Sequence, residues 1–188
     1  MANELAGRKI AILATDGVER VELEQPRKAV VDAGADVTLL TIDALAIKIF
    51  EHDEGPAGEE QADGLVAEFS EADFDALLLP GGVGNPDKLR ADDGAVAFAR
   101  GFFDAKKPVA AICHAPWLLV EADVVSGRTV TSYPSVKTDL VNAGARWVDE
   151  EVVVDEGFVT SRDPGDLEAF CAKVVEEFAE GRHEAQHA

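Results

Sequence analysis

The sequence predicts an α/β sandwich, a mostly parallel sheet covered by helices on both faces. Three observations predict it. Short, nearly continuous apolar runs recur along the chain, as strands buried on both faces require. Segments with helical spacing and helix punctuation separate those runs. Two of the runs end in turns that carry chemistry, "LPGG" and "ICHAP". Sites in such sheets collect at the carboxyl ends of the strands.

Each element has its own reason. "KIAILAT" (9–15) is a short apolar run and the first strand. "VELEQPRKAVVDAG" (21–34) is a helix, with Pro26 tolerated near its start and Gly34 as its stop. "ADVTLLTI" (35–42) is the second strand. Residues 51–64, "EHDEGPAGEEQADG", are acidic and glycine-rich and read as a surface excursion. "FDALLLPGG" (74–82) is a third buried strand running into a glycine turn. "DDGAVAFARGFFDAKK" (92–107) starts acidic, ends basic and sets Val96, Ala99 and Phe103 on one face, so it is a helix. In "KKPVAAICHAPWLLVEA" (106–122) a strand through Ile112 passes directly into a helix. "YPSVKTDLVNAG" (133–144) is a further helix, and "VVV" (152–154) and "FVT" (158–160) are β-prone. "DPGDLEAFCAKVVEEFAE" (163–180) opens with Asp163 as a cap and Pro164 in the first turn, and forms the last long helix. A polar tail, 181–188, follows.

The totals narrow the function classes. A chain of 188 residues, 47% of them hydrophobic, suits one domain with a sizeable core. No apolar run reaches the ~20 residues that span a bilayer. The charges in "MANELAGRKIAILAT" are placed wrongly for a signal peptide, so a cytoplasmic protein with no membrane partner is expected. Two cysteines, Cys113 and Cys171, make neither a disulfide framework nor a zinc cluster, which leaves Cys113 free for chemistry. A net charge of −20 repels phosphate backbones and disfavours nucleic acid as a partner.

Cys113 stands at the joint between strand and helix. A residue in such a bend is held in a strained backbone shape with its side chain above the sheet, the arrangement of a nucleophile elbow. The amides that follow belong to a first helical turn and favour negative charge, so the thiol pKa is expected to fall and thiolate to be available near neutral pH. "ICHAP" lacks the glycines that flank the hydrolase elbow, and a small buried cysteine ending a strand is the competing reading. His114 reads either as a donor to the thiolate or as a structural helix-start residue. Gly81 and Gly82, at the end of the neighbouring strand, offer backbone amides to an oxyanion.

"AICHAPWLL", "FDALLLPGG", "TSYPSVKTDLVNAGARWVDEEVVVD" and "VTSRDPGDL" together resemble the PfpI branch of the ThiJ/PfpI superfamily, across residues 8–180. That superfamily includes intracellular peptidase-like proteins, bacterial stress proteins and a protein deglycase. The resemblance implies a flavodoxin-like three-layer sandwich of the class I glutamine amidotransferase kind, a homodimer or larger assembly, and a reactive cysteine at the elbow. Cys113 matches the family nucleophile and His114 the histidine after it. In "ATDGVERVELEQP", Glu19 matches the acidic partner of the thiol, a carboxylic acid kept protonated by burial. Asp87, in "GNPDKLR", stands near the family's third member, a glutamate contributed across the subunit interface. Here the chain departs from the pattern, with a shorter side chain and one residue more in the spacing.

Three functions follow as expectations. The first is a stress-response enzyme of the glyoxalase or deglycase type, acting on small α-oxoaldehydes or glycated protein and requiring no metal or organic cofactor. Cys113 attacks the aldehyde, Glu19 or His114 moves the proton, and the amides of Gly82 and His114 hold the oxyanion. The second is an intracellular cysteine peptidase using Cys113, His114 and an acid. It ranks lower because side chains adjacent in an elbow are expected to diverge. The third is an oxidant sensor or chaperone working through Cys113. "HEAQH" (183–187) fits H-E-x-x-H, but it lies in a polar tail with nothing after it to supply a third ligand, and it reads as a chance match.

Overall fold

Alternation within single strands sets the layers. In β1 (Lys9–Leu13) Ile10 and Ile12 point into one apolar core while Ala11 and Leu13 point into another. Successive side chains of a strand leave opposite faces, so an apolar run of this kind needs helices on both sides. The computed structural model describes residues 3–52 and 55–183. Most of the HEAQH tail, from residue 184 on, lies outside them.

After β1 the chain passes through the short β2 (Val18–Glu19) into α1 (Arg20–Asp32), then β3 (Asp36–Thr41), β4 (Ala46–Phe50), β5 (Pro56–Gln61) and β6 (Gly64–Leu65). Next come β7 (Ala76–Leu79), α2 (Gly84–Leu89), α3 (Asp93–Asp104), β8 (Val109–Ile112) and α4 (Pro116–Glu121). The remainder is β9 (Thr129–Val130), α5 (Lys137–Asn142), β10 (Arg146–Trp147), β11 (Val152–Asp155), β12 (Phe158–Ser161) and α6 (Leu167–Glu180).

The central sheet has seven strands in the order β11-β12-β8-β7-β1-β3-β6, all parallel except the edge strand β11. This is the flavodoxin-like α/β arrangement that the sequence predicts. Leu23 and Val30 of α1 and Phe170, Val174 and Phe178 of α6 fill the core on one face. Phe98, Phe102 and Phe103 of α3 and Leu118 and Leu119 of α4 fill the other. Strand order reverses beside β1, which leads outward to β3 on one side while β7 and β8 follow on the other. A crevice opens at the carboxyl ends of strands where the order reverses.

Two local features depart from the sequence reading. The acidic stretch expected as a surface excursion contains β5, which pairs antiparallel with β4. Its residues, "PAGEEQ", lack apolar alternation because neither face is buried in a core. The helix expected at Asp163 begins with a 3-10 turn, Pro164–Asp166, before α6 proper. Asp163 still caps it, accepting from the Gly165 N–H at 2.8 Å.

Helix α3 begins as its sequence requires. The Asp92 side chain accepts from the Ala95 N–H at 2.8 Å and satisfies an amide that the helix cannot. Asp92→Ala is therefore expected to cost about 1 kcal/mol of stability. Urea unfolding measures this, and an unchanged midpoint would show that the cap contributes nothing.

Candidate active site

Strand β8 ends at Ile112, and the next residue has φ 64°, a left-handed conformation that costs an L side chain energy. That residue is Cys113. Its backbone is held from both sides: its N–H donates to Ser161 O at 3.1 Å, and its carbonyl accepts from the Tyr133 N–H at 2.9 Å. Helix α4 starts three residues later, at Pro116. The bend is an elbow, and the amide of His114 is left in it.

The left-handed turn brings neighbouring side chains together. Cys113 Sγ lies 3.1 Å from His114 Nδ1. The divergence expected for adjacent residues does not occur, because that expectation assumed ordinary backbone angles. On the far side of the ring, His114 Nε2 is 3.0 Å from Ser135 Oγ. Tyr133 stacks on the imidazole with centroids 4.5 Å apart, and Trp117 tilts against it at 5.2 Å. The ring is thus fixed in plane and in direction. Ser135 sits in a 3-10 turn before α5, and no short motif announces it.

A cavity of about 340 Å³ opens over the thiol. Glu19, Glu22, His52, Gly82, Cys113, His114 and Tyr133 are among the residues lining it. Cys113 is only 5% exposed, so the sulfur is reached through this cavity. His52 arrives from the end of β4, which brings the acidic segment to the rim of the site.

The acid beside the thiol is Glu22, where the sequence reading had placed Glu19. The two are three residues apart, one helical turn, and both line the cavity. Glu19 ends β2, is buried, and acts on Glu22 by charge repulsion. Glu22 is fully buried in the first turn of α1 and accepts from the Gly81 N–H at 3.1 Å through Oε2. No donor of good geometry reaches its Oε1. Burial pushes the Glu22 carboxyl up to about 8, and Glu19 adds to the rise. Interaction with the Cys113 thiol and the amides of Gly81 and Gly82 works in the opposite direction.

The thiol departs from expectation as well. Burial, repulsion by an ionised Glu22 and the hydrogen bond to it raise the Cys113 pKa, whereas the amides of Gly82 and His114 lower it. The bend does supply freed amides, but removal of the sulfur from water outweighs them. Below about pH 8 Glu22 holds its proton. Its repulsion is then absent, and a carboxylic acid O–H donates to a sulfur anion rather than competing with it.

Two glycines make the crowding possible. A Cβ on Gly81 would stand 2.5 Å from Glu22 Oε2 and 2.7 Å from Cys113 Cβ. One on Gly82, whose φ is 80°, would meet Gly17 O at 2.4 Å. Gly81 thus serves the carboxyl group of Glu22, and Gly82 is the amide that faces the thiol. Buried Asn85 ties this turn to the end of β1. It accepts from the Thr15 N–H at 2.8 Å and donates to Pro80 O at 2.8 Å and to Gly81 O at 3.1 Å. Asp87 is exposed on α2, outside the cavity, and within the chain the distal nitrogen of His114 meets Ser135 in its place. Among the described residues no helix is long and apolar enough to cross a membrane.

Comparison with known proteins agrees with the fold. "Protein/nucleic acid deglycase 2" of Escherichia coli is 46% identical over 164 residues, covering 87% of this chain and 93% of the relative. "General stress protein 18" of Bacillus subtilis is 45% identical over 165 residues, covering 87% and 94%. The crystal structure of Drosophila melanogaster DJ-1beta superposes with a TM-score of 0.83 at 31% identity, covering 92% of this chain and 90% of that one. With a profile of the family matching residues 8–177, the chain belongs to the DJ-1/PfpI family.

Proposed function

We propose that the protein is a stress-response enzyme that removes reactive α-oxoaldehydes, free or as early adducts on protein, by covalent catalysis at Cys113. One observation carries the reading: a thiol on a left-handed elbow, lining a small cavity, 3.1 Å from an imidazole nitrogen that a hydroxyl fixes from behind. Relatives named as a deglycase and as a general stress protein support the substrate class. The cavity suits a three-carbon aldehyde better than an extended peptide. The Escherichia coli relative's name includes nucleic acid. With a net charge of −20 this chain repels phosphate backbones, so small aldehydes and protein adducts are the preferred substrates.

The chemistry needs no external oxidant. His114 Nδ1 accepts the thiol proton as Sγ adds to the aldehyde carbon, and the carbonyl electron pair moves to oxygen facing the amides of Gly82 and His114. His114 returns that proton to the oxyanion. His114 or a carboxyl group of the Glu19–Glu22 pair then moves the proton from the aldehyde carbon to the neighbouring ketone carbon, while the hydroxyl proton passes from the first carbon's oxygen to the second's. The first carbon is oxidised to a thioester and the second reduced to an alcohol. Water adds to the thioester, the C–S bond breaks, and a 2-hydroxy acid leaves with the thiol restored. Incubation of the full chain with methylglyoxal, without added metal or cofactor, tests the reading through lactate formation. No lactate above the uncatalysed rate would end it.

Ser135 is a positioning residue in this scheme. Ser135→Ala is expected to lower kcat/KM by about ten- to a hundredfold and to shift the pH profile, because the imidazole loses its fixed direction. Ser135→Thr, which keeps the hydroxyl, should recover most of it. Full activity in the alanine variant would remove Ser135 from the site.

The Cys113–His114 contact also suits a cysteine peptidase. Cleavage of unfolded casein that requires both residues, without lactate from methylglyoxal, would favour that reading. We place the enzyme in the cytoplasm as a homodimer or larger assembly, with Asp87 offered from α2 to a neighbouring copy. A monomeric mass by light scattering would remove Asp87 from the site.

A further inference from the structure

The end of the sheet opposite Cys113 carries a second cluster of ligating groups. Glu177 and Glu180 lie three residues apart on the last turn of α6 and share a helix face. Gly181, with φ 84°, ends the helix and turns the chain, so that His183 comes back over the same face. One ligating atom from each of the three lies within 4.8 Å of the other two.

The cluster is built rather than a chance gathering of surface acids. Glu177 is 6% exposed, and its Oε2 is buried with no hydrogen-bond partner. His183 Nε2 is likewise buried without one. The two atoms face each other at 3.2 Å, yet their alignment is not that of a hydrogen bond. Two ligands of one ion, each about 2.0–2.2 Å from it at a tetrahedral or right angle, stand about 3.0–3.5 Å apart with neither lone pair aimed at the other. The separation here has that value.

The imidazole is held in place from two further elements. His183 N–H donates to Lys106 O at 3.1 Å, on the loop before β8. Gly157, in the β11–β12 turn, leaves room for the ring: a Cβ there would stand 2.5 Å from His183 Cδ2. Of the nearby cations, Lys173 pairs with Glu176 at 2.6 Å and Arg8 donates to Ala179 O at 2.9 Å.

We propose that Glu177, Glu180 and His183 bind a divalent first-row transition ion of the zinc type, which pins the end of α6 to the β11–β12 turn and the loop before β8. One imidazole and two carboxylates suit a borderline ion, with water completing its shell. The site has no part in the thiol chemistry, since β8 runs between Lys106 and Cys113. It is also distinct from the H-E-x-x-H pattern of the tail, with which it shares only His183.

The test is calorimetric titration of Zn²⁺ into the untagged full chain carrying Cys113→Ser and Cys171→Ser, which removes both thiols as competing ligands. One ion per chain is expected. In that background Glu177→Gln and His183→Ala should each weaken binding by about tenfold or more, with His187→Ala close to unchanged. Glu180→Gln, at the exposed rim, should weaken it measurably without disturbing the core, and it decides the matter together with His183→Ala if Glu177→Gln fails to fold. Saturating Zn²⁺ should raise the Tm of the parent and leave that of His183→Ala unmoved. Absence of one-to-one binding, or binding that survives Glu180→Gln and His183→Ala undiminished, overturns the proposal. So does binding lost with His187→Ala but kept in Glu177→Gln, which would assign the ion to the tail.

Discussion

Cys113→Ser is expected to abolish lactate formation from methylglyoxal, a loss of about a thousandfold or more. The hydroxyl occupies the same left-handed bend and faces the same amides of Gly82 and His114, so binding and fold are conserved. Only the acidity and nucleophilicity of the attacking atom change. An alcohol in this buried position is far harder to ionise than a thiol, and His114 Nδ1, 3.1 Å from the sulfur, cannot make up the difference. Because burial raises the thiol pKa, the proposed mechanism forms thiolate by transfer to His114 as substrate arrives, rather than holding it ready. Initial rates by lactate assay on folded, matched samples measure the effect. A serine variant that keeps more than a tenth of the activity would rule out covalent catalysis at this position.

The second large effect is on stability. Glu22 goes from an ordinary carboxyl value of 4.5 to about 8 on burial. Between those values the folded protein holds a proton that the unfolded chain releases, so stability falls as pH rises. The contribution is whole below pH 4.5 and lost as pH passes 8, a change on the order of 5 kcal/mol. Glu22→Gln is neutral at every pH and keeps an acceptor for the Gly81 N–H. It is therefore expected to unfold at a urea concentration nearly independent of pH from 5 to 8.5, while the parent weakens steadily and falls below the variant at the upper end. Staying under the ordinary thiol value of 9.0 keeps Cys113 out of the comparison. Parallel profiles for the two proteins would show that Glu22 is ionised in the fold.

Much of this was legible in the sequence, for identifiable reasons. Strands β1, β7 and β8 are buried on both faces, and only unbroken apolar runs satisfy that, so they stand out. The elbow was legible because a strand ran into helix punctuation with no loop between. What escaped depended on tertiary placement. Glu19 and Glu22 differ by one helical turn, and periodicity cannot say which of them the sheet covers. The Cys113–His114 contact rests on a positive φ that no glycine advertised. Ser135 reaches His114 across 21 residues of chain. Strand β5 carries no apolar pattern, since it pairs outside the central sheet.

Among the described residues other than glycine, Asn3, His52, Lys106, Asp123 and Glu156 share the left-handed backbone of Cys113, but only Cys113 is buried. Cys113 is clamped between Ser161 O and the Tyr133 N–H, inside the core. A conformation of that kind costs about 1–3 kcal/mol. With Cys113 as the proposed nucleophile, selection for heat resistance and selection for turnover pull on the same dihedral angle in opposite directions. The proposed nucleophile is mounted on a buried left-handed residue, and the surrounding scaffold has to be stable enough to keep it there.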